Sequence, residues 1–185
     1  AAISVTHSAA AEEVFARRFA EESRIAASIE HPNVVPIYAA GAERGVPYIA
    51  MRYVAGSDLG RRINREGRLE PERAVALIAQ VANGLDAIHA AGIVHRDVKP
   101  GNLVVDHEGK VQIIDFGLAK VMTGMWQDVG SETTVGTLEY MSPEQARGRP
   151  VDGRADQFAV GLILAEMASG RPVFRRETPA QVLGA

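Results

Sequence analysis

Residues 93–117 read IVHRDVKPGNLVVDHEGKVQIIDFG and are the most informative part of the chain. Two short β-type runs, residues 103–105 and 111–114, are separated by turn-forming residues, and this pattern predicts an antiparallel hairpin. Such a hairpin brings the residue before its first strand close to the residue after its second strand. Those residues are Asn102 and Asp115, so we expect their side chains to converge at the open end of the hairpin.

The chemistry of these two side chains predicts a metal site. A carboxylate and an amide oxygen are hard ligands of the kind that Mg²⁺ binds, with phosphate oxygens and water completing its octahedron. The loop before the hairpin places Asp97 and Lys99 beside the same point. A carboxylate there can accept a hydroxyl proton, and a cation can offset charge on a transferring phosphoryl group. The set therefore favours phosphoryl transfer with a phosphate-bearing substrate.

Three motifs in this chain, taken in order, resemble those of the protein kinase family. Residues 95–102, HRDVKPGN, resemble the catalytic loop of that family. Residues 115–117, DFG, resemble its metal loop. Residues 142–144, SPE, resemble the end of its activation segment. The KP dipeptide resembles the serine/threonine branch, and residues 136–146 resemble bacterial kinases of the eukaryotic type. The resemblance implies transfer of the γ-phosphate of ATP to protein serine or threonine hydroxyls in signalling, with ATP and Mg²⁺ as cofactors.

The fold that this resemblance implies is an α+β, two-lobed kinase-like fold, truncated at both ends. The small lobe would lack its first strands, and the large lobe would be mostly helical. Residues 1–54 would form part of the N-terminal lobe, with a strand, a helix, a strand hairpin and the hinge. Residues 55–185 would form part of the C-terminal lobe, with the catalytic loop, metal loop and activation segment.

Local patterns predict individual elements of this fold. Residues 34–39 and 48–53 read as two strands around a turn-rich span, and from about Gly56 the pattern becomes helical. The clearest helix starts at Pro71, which suits a first helical turn, continues with apolar residues at helical spacing and is closed by Gly92.

Residue by residue, the resemblance implies roles in the reaction. Asp97 would be the catalytic base, Lys99 would contact the γ-phosphate, and Asn102 and Asp115 would hold Mg²⁺. Asp156, at the start of an apolar helix that it would cap, would also hydrogen-bond the backbone of the catalytic loop and so fix Asp97.

Four further positions would serve the nucleotide. Glu22 matches the helix carboxylate that pairs with a strand lysine, although a solvated acidic helix face is the alternative. Met51 matches the gatekeeper, with plain core packing as its alternative. Tyr53 and Val54 fall in the hinge, whose backbone would hydrogen-bond adenine.

A loop of about thirty residues, 115–144, would be the activation segment, and loops of that length in compact domains usually have a function. Phosphate on Ser131, Thr133 or Thr134 would pair with Arg96 and order the loop, with ordinary polar loop composition as the alternative. The resemblance implies a different task for Thr137, which would contact the catalytic loop and shape the substrate hydroxyl site.

Two features depart from the family pattern. Ser4 stands where the ATP-binding lysine is expected, and the Gly-rich loop that covers the phosphates is not found ahead of it. Two explanations compete: a segment of a larger kinase in which an upstream lysine compensates, or a pseudokinase that acts as a binding or scaffold module. A third class, small-molecule phosphotransferases of the antibiotic-kinase type, is disfavoured because those enzymes lack the protein-substrate platform of residues 136–144.

Net charge, the length of apolar runs and histidine spacing argue against other classes of function. The chain has 20 Lys and Arg against 23 Asp and Glu, a net charge of −3, so we expect no nucleic-acid partner. The apolar stretch 158–165 is far shorter than the roughly 20 residues of a membrane span, so we expect no membrane contact within this segment. The five histidines lack paired helical spacing for zinc, and cysteine is absent. We expect protein substrates and a cytoplasmic location, which is compatible with a membrane anchor outside this segment. We also keep a homodimer of kinase domains as an alternative.

Overall fold

The computed structural model describes residues 23–43, 46–115 and 138–174. Residues 23–27 are helical and precede the first strands. The strands are β1 (Ile37–Glu43), β2 (Val46–Met51), β3 (Gly56–Asp58), β4 (Leu103–Asp106) and β5 (Val111–Ile113). The helices are α1 (Leu59–Glu66), α2 (Pro71–Ala90), α3 (Pro143–Ala146) and α4 (Gly153–Ser169), with a 3-10 turn at Pro100–Asn102. Helices beside small antiparallel sheets confirm the predicted α+β class.

Strands β1 and β2 form the predicted hairpin, but its bounds differ from those expected. The strands extend into the span that was predicted as a turn, with Gly41 opposite Tyr48, and β2 ends at Met51 rather than at Tyr53. The expected start of the first strand, Val34, instead forms a parallel bridge to Ile113 of β5. Backbone hydrogen bonds on either side of this bridge tie the segment before β1 to the second sheet, so pairing with β5 overrides the local strand pattern.

The second sheet has the order β3–β4–β5, and all its pairs are antiparallel. The helix expected from about Gly56 begins at Leu59, because the short strand β3 first pairs with β4. Gly56 permits this pairing, since a side chain there would collide with the carbonyl of Val105. The Asp58 side chain then caps α1 by accepting from the backbone N–H of Arg61 at 2.9 Å.

Helix α2 confirms the prediction of a helix that starts at Pro71. Its periodic apolar residues are buried, because one face packs on α4 and on β5. Gly92, just after the helix, has φ of +80°, a left-handed conformation that glycine adopts without strain. The main members of the shared core are Leu77, Val81, Leu85, Ile88, Leu103, Ile113, Ile163 and Met167.

Helix α4 begins earlier than expected, and its cap is a different residue. The helix starts at Gly153, and the Asp152 side chain accepts from the backbone N–H of Arg154 at 3.0 Å, so Asp152 is the N-cap. The prediction that Asp156 caps this helix was wrong, because that carboxylate lies inside the first turn and is buried. Within the described ranges, none of the helices is both long and apolar enough to cross a lipid bilayer.

Two helical glycines give a prediction about packing. A methyl group on Gly84 of α2 would lie 2.7 Å from the Ile113 side chain and 3.0 Å from the Asn33 carbonyl oxygen, whereas one on Gly161 of α4 meets nothing within 4 Å. We expect Gly84→Ala to lower the free energy of unfolding by about 1–3 kcal/mol, and Gly161→Ala to raise it by up to about 1 kcal/mol through helix propensity.

Urea unfolding of the complete protein and its two variants measures this difference. The comparison is matched because both substitutions add the same methyl group to a helix interior. Equal stability of the two variants would show that α2 does not pack against Asn33 as closely as the structure indicates.

Candidate functional site

The loop at residues 95–102 holds a carboxylate in place with two of its own side chains. The Lys99 ammonium donates to Asp97 Oδ2 over 2.9 Å, and the Asn102 amide nitrogen donates to the same oxygen over 3.1 Å. The Asn102 amide nitrogen also donates to the Asp97 carbonyl oxygen over 2.8 Å. The Asp97 and Lys99 side chains keep 14% and 26% of their surface exposed, so a reacting group can reach them.

The hairpin of β4 and β5 brings the two candidate metal ligands to one end, as the sequence predicts. Leu103 pairs with Ile113, and the N–H of Ile114 donates to the Asn102 carbonyl oxygen over 2.9 Å. Asp115 follows directly, is exposed and has φ of +64°, a left-handed conformation that is uncommon outside glycine. Strained backbone of this kind is concentrated at functional sites.

The donor set at this end fits Mg²⁺. Because the Asn102 amide nitrogen donates to Asp97, its amide oxygen is the atom that can face a cation. One carboxylate and one amide oxygen match the way in which Mg²⁺ is held, with few protein ligands and the remaining positions taken by phosphate and water. In the part of the chain that the structure describes, no group of three or more His, Asp or Glu side chains forms an alternative metal cage.

His95 connects the two halves of this site, a role that the sequence analysis missed. Its Nδ1 accepts from the Asp97 N–H, and its Nε2 lies 3.3 Å from the Ile114 carbonyl oxygen. Complete burial lowers the pKa of His95, so the ring is neutral and can accept at one nitrogen while it donates at the other. The ring thereby links the backbone of Asp97 to the residue before Asp115.

Asp156 supports the loop from α4. Its Oδ1 accepts from the N–H of Arg96 over 2.8 Å, and its Oδ2 from the N–H of His95 over 2.9 Å. The expected hydrogen bonds from Asp156 to the loop backbone are therefore confirmed. Arg96 has φ of +64°, and its carbonyl oxygen accepts from the Gln145 side chain over 2.9 Å, so this strained residue is held on both sides.

The guanidinium of Arg96 is the other notable feature of that residue. Its Nε is buried and has no hydrogen-bond partner among the described residues. The residues expected to pair with it, Ser131, Thr133 and Thr134, lie outside the described ranges. Ser4, Glu22 and Thr137 also lie outside the described ranges.

The residues expected at the nucleotide differ in their surroundings. Met51 ends β2 and packs half-buried against the core, which fits its alternative of plain core packing. Tyr53 is 88% exposed and Val54 is half-buried, in the link between β2 and β3. This link leads to β3, whose first residue, Gly56, lies opposite Asp106, at the end of β4 that is away from Asn102.

A buried pair anchors the segment before α3. The Tyr140 hydroxyl donates to the Glu166 carboxylate of α4, and burial is the main cause that raises the pKa of both groups. Sequence reasoning missed this pair. A signal existed, because Glu166 interrupts an apolar run and a buried carboxylate requires a partner. Tyr140 thus ties the segment before α3 to α4, the helix that also supports the loop at residues 95–102.

Comparison with known proteins gives a consistent result. The family model described as "Protein kinase domain" matches residues 1–183. A probable serine/threonine-protein kinase of Corynebacterium efficiens is 39% identical over 173 residues, which cover 91% of this chain and 26% of that protein. Another from Streptomyces coelicolor is 38% identical over 174 residues, which cover 91% of this chain and 26% of that protein.

Serine/threonine-protein kinase PknB of Mycobacterium tuberculosis is also similar. It is 38% identical over 173 residues, which cover 91% of this chain and 28% of that protein. The chain therefore spans between 26% and 28% of the length of these curated relatives.

Proposed function

The chain belongs to the protein kinase domain family, and from this premise we propose that the complete protein transfers the γ-phosphate of ATP to serine or threonine hydroxyls of other proteins. One observation carries the proposal. The Asp97 carboxylate is held by Lys99 and Asn102, and Asn102 is itself paired with the strand that leads to Asp115. The candidate base, the cation and the candidate metal ligand Asn102 thus share one set of hydrogen bonds, and Asp115 follows the residue that is bonded to Asn102.

In the proposed reaction, Asp97 accepts the proton of the substrate hydroxyl. The hydroxyl oxygen forms a bond to the γ-phosphorus while the bond from that phosphorus to the β–γ bridging oxygen breaks, and ADP leaves. Lys99, 2.9 Å from Asp97, offsets negative charge on the transferring group. Asn102 and Asp115 would hold Mg²⁺, which supplies further neutralisation of the phosphates when bound.

The other site residues keep their proposed roles. The backbone of Tyr53 and Val54 would bind adenine, beside Met51 as gatekeeper, in a hinge between lobes at residues 1–54 and 55–185. Glu22 would form an ion pair with the basic side chain that contacts the ATP phosphates. The link joins β2 of the first sheet to β3 of the second sheet, which supports the assignment of a hinge there.

Regulation through the activation segment is a further part of the proposal. Phosphate on Ser131, Thr133 or Thr134 would bind Arg96, whose buried Nε has no hydrogen-bond partner among the described residues. Thr137 would shape the substrate hydroxyl site. Because ATP is an intracellular substrate, we place the kinase domain in the cytoplasm and assign it to signalling; a homodimer of kinase domains stays a prediction.

Ser4 favours a second candidate function. A neutral hydroxyl cannot replace the charge of the lysine that contacts the ATP phosphates in the family, so a pseudokinase that acts as a binding or scaffold module is the alternative. Both functions would use the same fold and the same metal ligands, but only the kinase would transfer phosphate.

Removal of one metal ligand tests the proposed site. We expect Asp115→Asn to abolish the Mg²⁺-dependent part of ATP binding, because an amide offers Mg²⁺ one neutral oxygen in place of a charged carboxylate. Isothermal titration of the complete protein with ATP, with and without Mg²⁺, measures the effect, which we expect to be at least about tenfold in affinity.

The matched control lies at the other end of the same hairpin. Asp106 Oδ1 accepts two backbone hydrogen bonds within the turn, and an asparagine oxygen can accept both, so Asp106→Asn should bind ATP as the unmodified protein does. If Asp115→Asn kept the full effect of Mg²⁺, the metal site would lie elsewhere and the proposed function would lose its support.

A further inference from the structure

We propose that Gln145 is a positioning residue for Asp97, and that it couples the place of this carboxylate to the segment before α3. The proposal rests on the proposed function and deepens it, because Asp97 is the candidate base. Gln145 is the third residue of α3, and its side chain is buried. It has no part in the reaction as described above.

The first argument is that both ends of the Gln145 side chain are engaged. Its amide nitrogen donates to the Arg96 carbonyl oxygen over 2.9 Å, and its amide oxygen accepts from the Ser142 N–H over 3.1 Å. The two ends cannot be exchanged, because the carbonyl oxygen needs a donor and the N–H needs an acceptor. The Gln145 N–H also donates to the Ser142 hydroxyl over 3.4 Å, which completes a capping box. One side chain thus joins the catalytic loop to the start of α3.

The second argument concerns the peptide that this amide holds. The Arg96 carbonyl oxygen and the Asp97 N–H belong to the same peptide unit, and a peptide unit is planar. Gln145 binds the carbonyl end of the unit over 2.9 Å, and His95 Nδ1 accepts from its N–H end over 3.3 Å. Bonds at opposite ends of the unit fix its plane, and the plane fixes the direction in which the chain enters Asp97. The bond from Gln145 is the shorter of the two.

The third argument is that the same peptide is strained and shielded from water. Arg96 has φ of +64°, a conformation that residues with a side chain adopt rarely. The cavity beside it, which Arg96, Asp97 and Gln145 help to line, measures about 10 Å³, the lower limit for a single water molecule. Water is therefore a poor replacement for the Gln145 amide. Without that donor the peptide can turn, and Asp97 would move with it.

These contacts couple the candidate base to the chain before α3. Ser142 is fully buried, and Tyr140 of the same segment is bonded to Glu166 of α4. A displacement of Ser142 would release the amide oxygen of Gln145 and so loosen the bond from Gln145 to the catalytic loop. The candidate base therefore takes its position when this segment is in place.

Hydrogen exchange of the complete protein tests the proposal without nucleotide. Gln145→Met keeps the length of the side chain and loses both amide contacts. Gln145→Glu keeps an acceptor for the Ser142 N–H and loses the donor to Arg96. We expect both variants to speed exchange of the Asp97 amide about tenfold, the effect of a buried carbonyl left without its donor.

The amides of α3 distinguish this effect from a general loosening of the helix. The N–H groups of Ala146 and Arg147 donate to backbone carbonyls at the start of α3, and their exchange should not change in Gln145→Glu, because glutamate also closes a capping box. Gln157→Glu makes the same chemical change at an exposed position of α4 and should leave Asp97 unchanged. Unchanged exchange at Asp97 in both Gln145 variants would overturn the proposal. Equal acceleration at Ala146 and Asp97 in Gln145→Glu would also overturn it, because Gln145 would then serve α3 alone.

The kinetics of transfer give a second readout. We expect Gln145→Glu to lower kcat about tenfold with the KM for ATP unchanged, since only the placement of Asp97 is altered. A larger KM for ATP with unchanged kcat would contradict a positioning role. If the unmodified protein transferred no phosphate, the proposed function would fail, while exchange at Asp97 would still decide this inference.

Discussion

Asp97→Asn is expected to lower the rate of phosphate transfer by about 10²–10⁴-fold, the usual contribution of a general base. An asparagine oxygen can still accept hydrogen bonds from Lys99 and Asn102, which both donate to Asp97 Oδ2 in the structure. The amide cannot accept the proton of a substrate hydroxyl. We therefore expect the loop to keep its geometry and the affinity for Mg²⁺ and ATP to stay near that of the unmodified protein.

Transfer of labelled phosphate from ATP and titration with the nucleotide measure the two properties separately. Asp86→Asn in α2 is a matched control, because it makes the same chemical change at an exposed position outside the site. Asp97→Asn with full transfer activity would show that another group accepts the proton. A loss of nucleotide binding equal to the loss of transfer would show that Asp97 acts in binding.

Asp156→Ala is expected to cause the largest loss of stability. The substitution removes the acceptor for the N–H groups of His95 and Arg96 and for the His89 ring, and the site is buried. Leaving such donors without a partner costs about 1–3 kcal/mol each, so we expect a loss of roughly 3–5 kcal/mol in the free energy of unfolding. Transfer activity should be lost as well, because the loop before Asp97 is no longer held.

Asp152→Ala is the informative comparison, since Asp152 is the N-cap of the same helix and is exposed. Loss of a cap typically costs about 1 kcal/mol and should leave transfer intact. Denaturant unfolding and transfer assays of the two variants distinguish the roles. Equal losses of stability in both would mean that Asp156 contributes no more than a helix cap.

The same pair of residues shows how far the sequence can predict this fold. Both Asp152 and Asp156 stand near the start of an apolar helical pattern, and either can cap a helix. Which one turns inward depends on the distant loop at residues 95 and 96, and local pattern contains no information on that contact. Helix α2 was predicted well because Pro71 and the apolar spacing are both local signals.

The candidate site shows the same contrast between local signals, which the sequence contains, and distant contacts, which it does not. The convergence of Asn102 and Asp115 could be predicted, because a hairpin of two short strands determines which residues lie at its open end. The contacts of His89 with Asp156 and of Tyr140 with Glu166 join residues 67 and 26 positions apart, and they were missed. Buried polar side chains in apolar helices indicate that partners exist, but only the packing of the helices identifies them.

The central claim is that this chain carries the base and the metal site of a working serine/threonine kinase, and transfer from Mg·ATP to a generic protein substrate tests it most directly. The complete gene product would be compared with its Ser4→Lys variant and with Asp115→Asn as the blank. We predict phosphate on substrate serine or threonine with the unmodified protein and none with Asp115→Asn. Transfer only after Ser4→Lys would show that the natural protein is a pseudokinase whose other catalytic residues are functional. No transfer by the unmodified protein or by Ser4→Lys would contradict the claim.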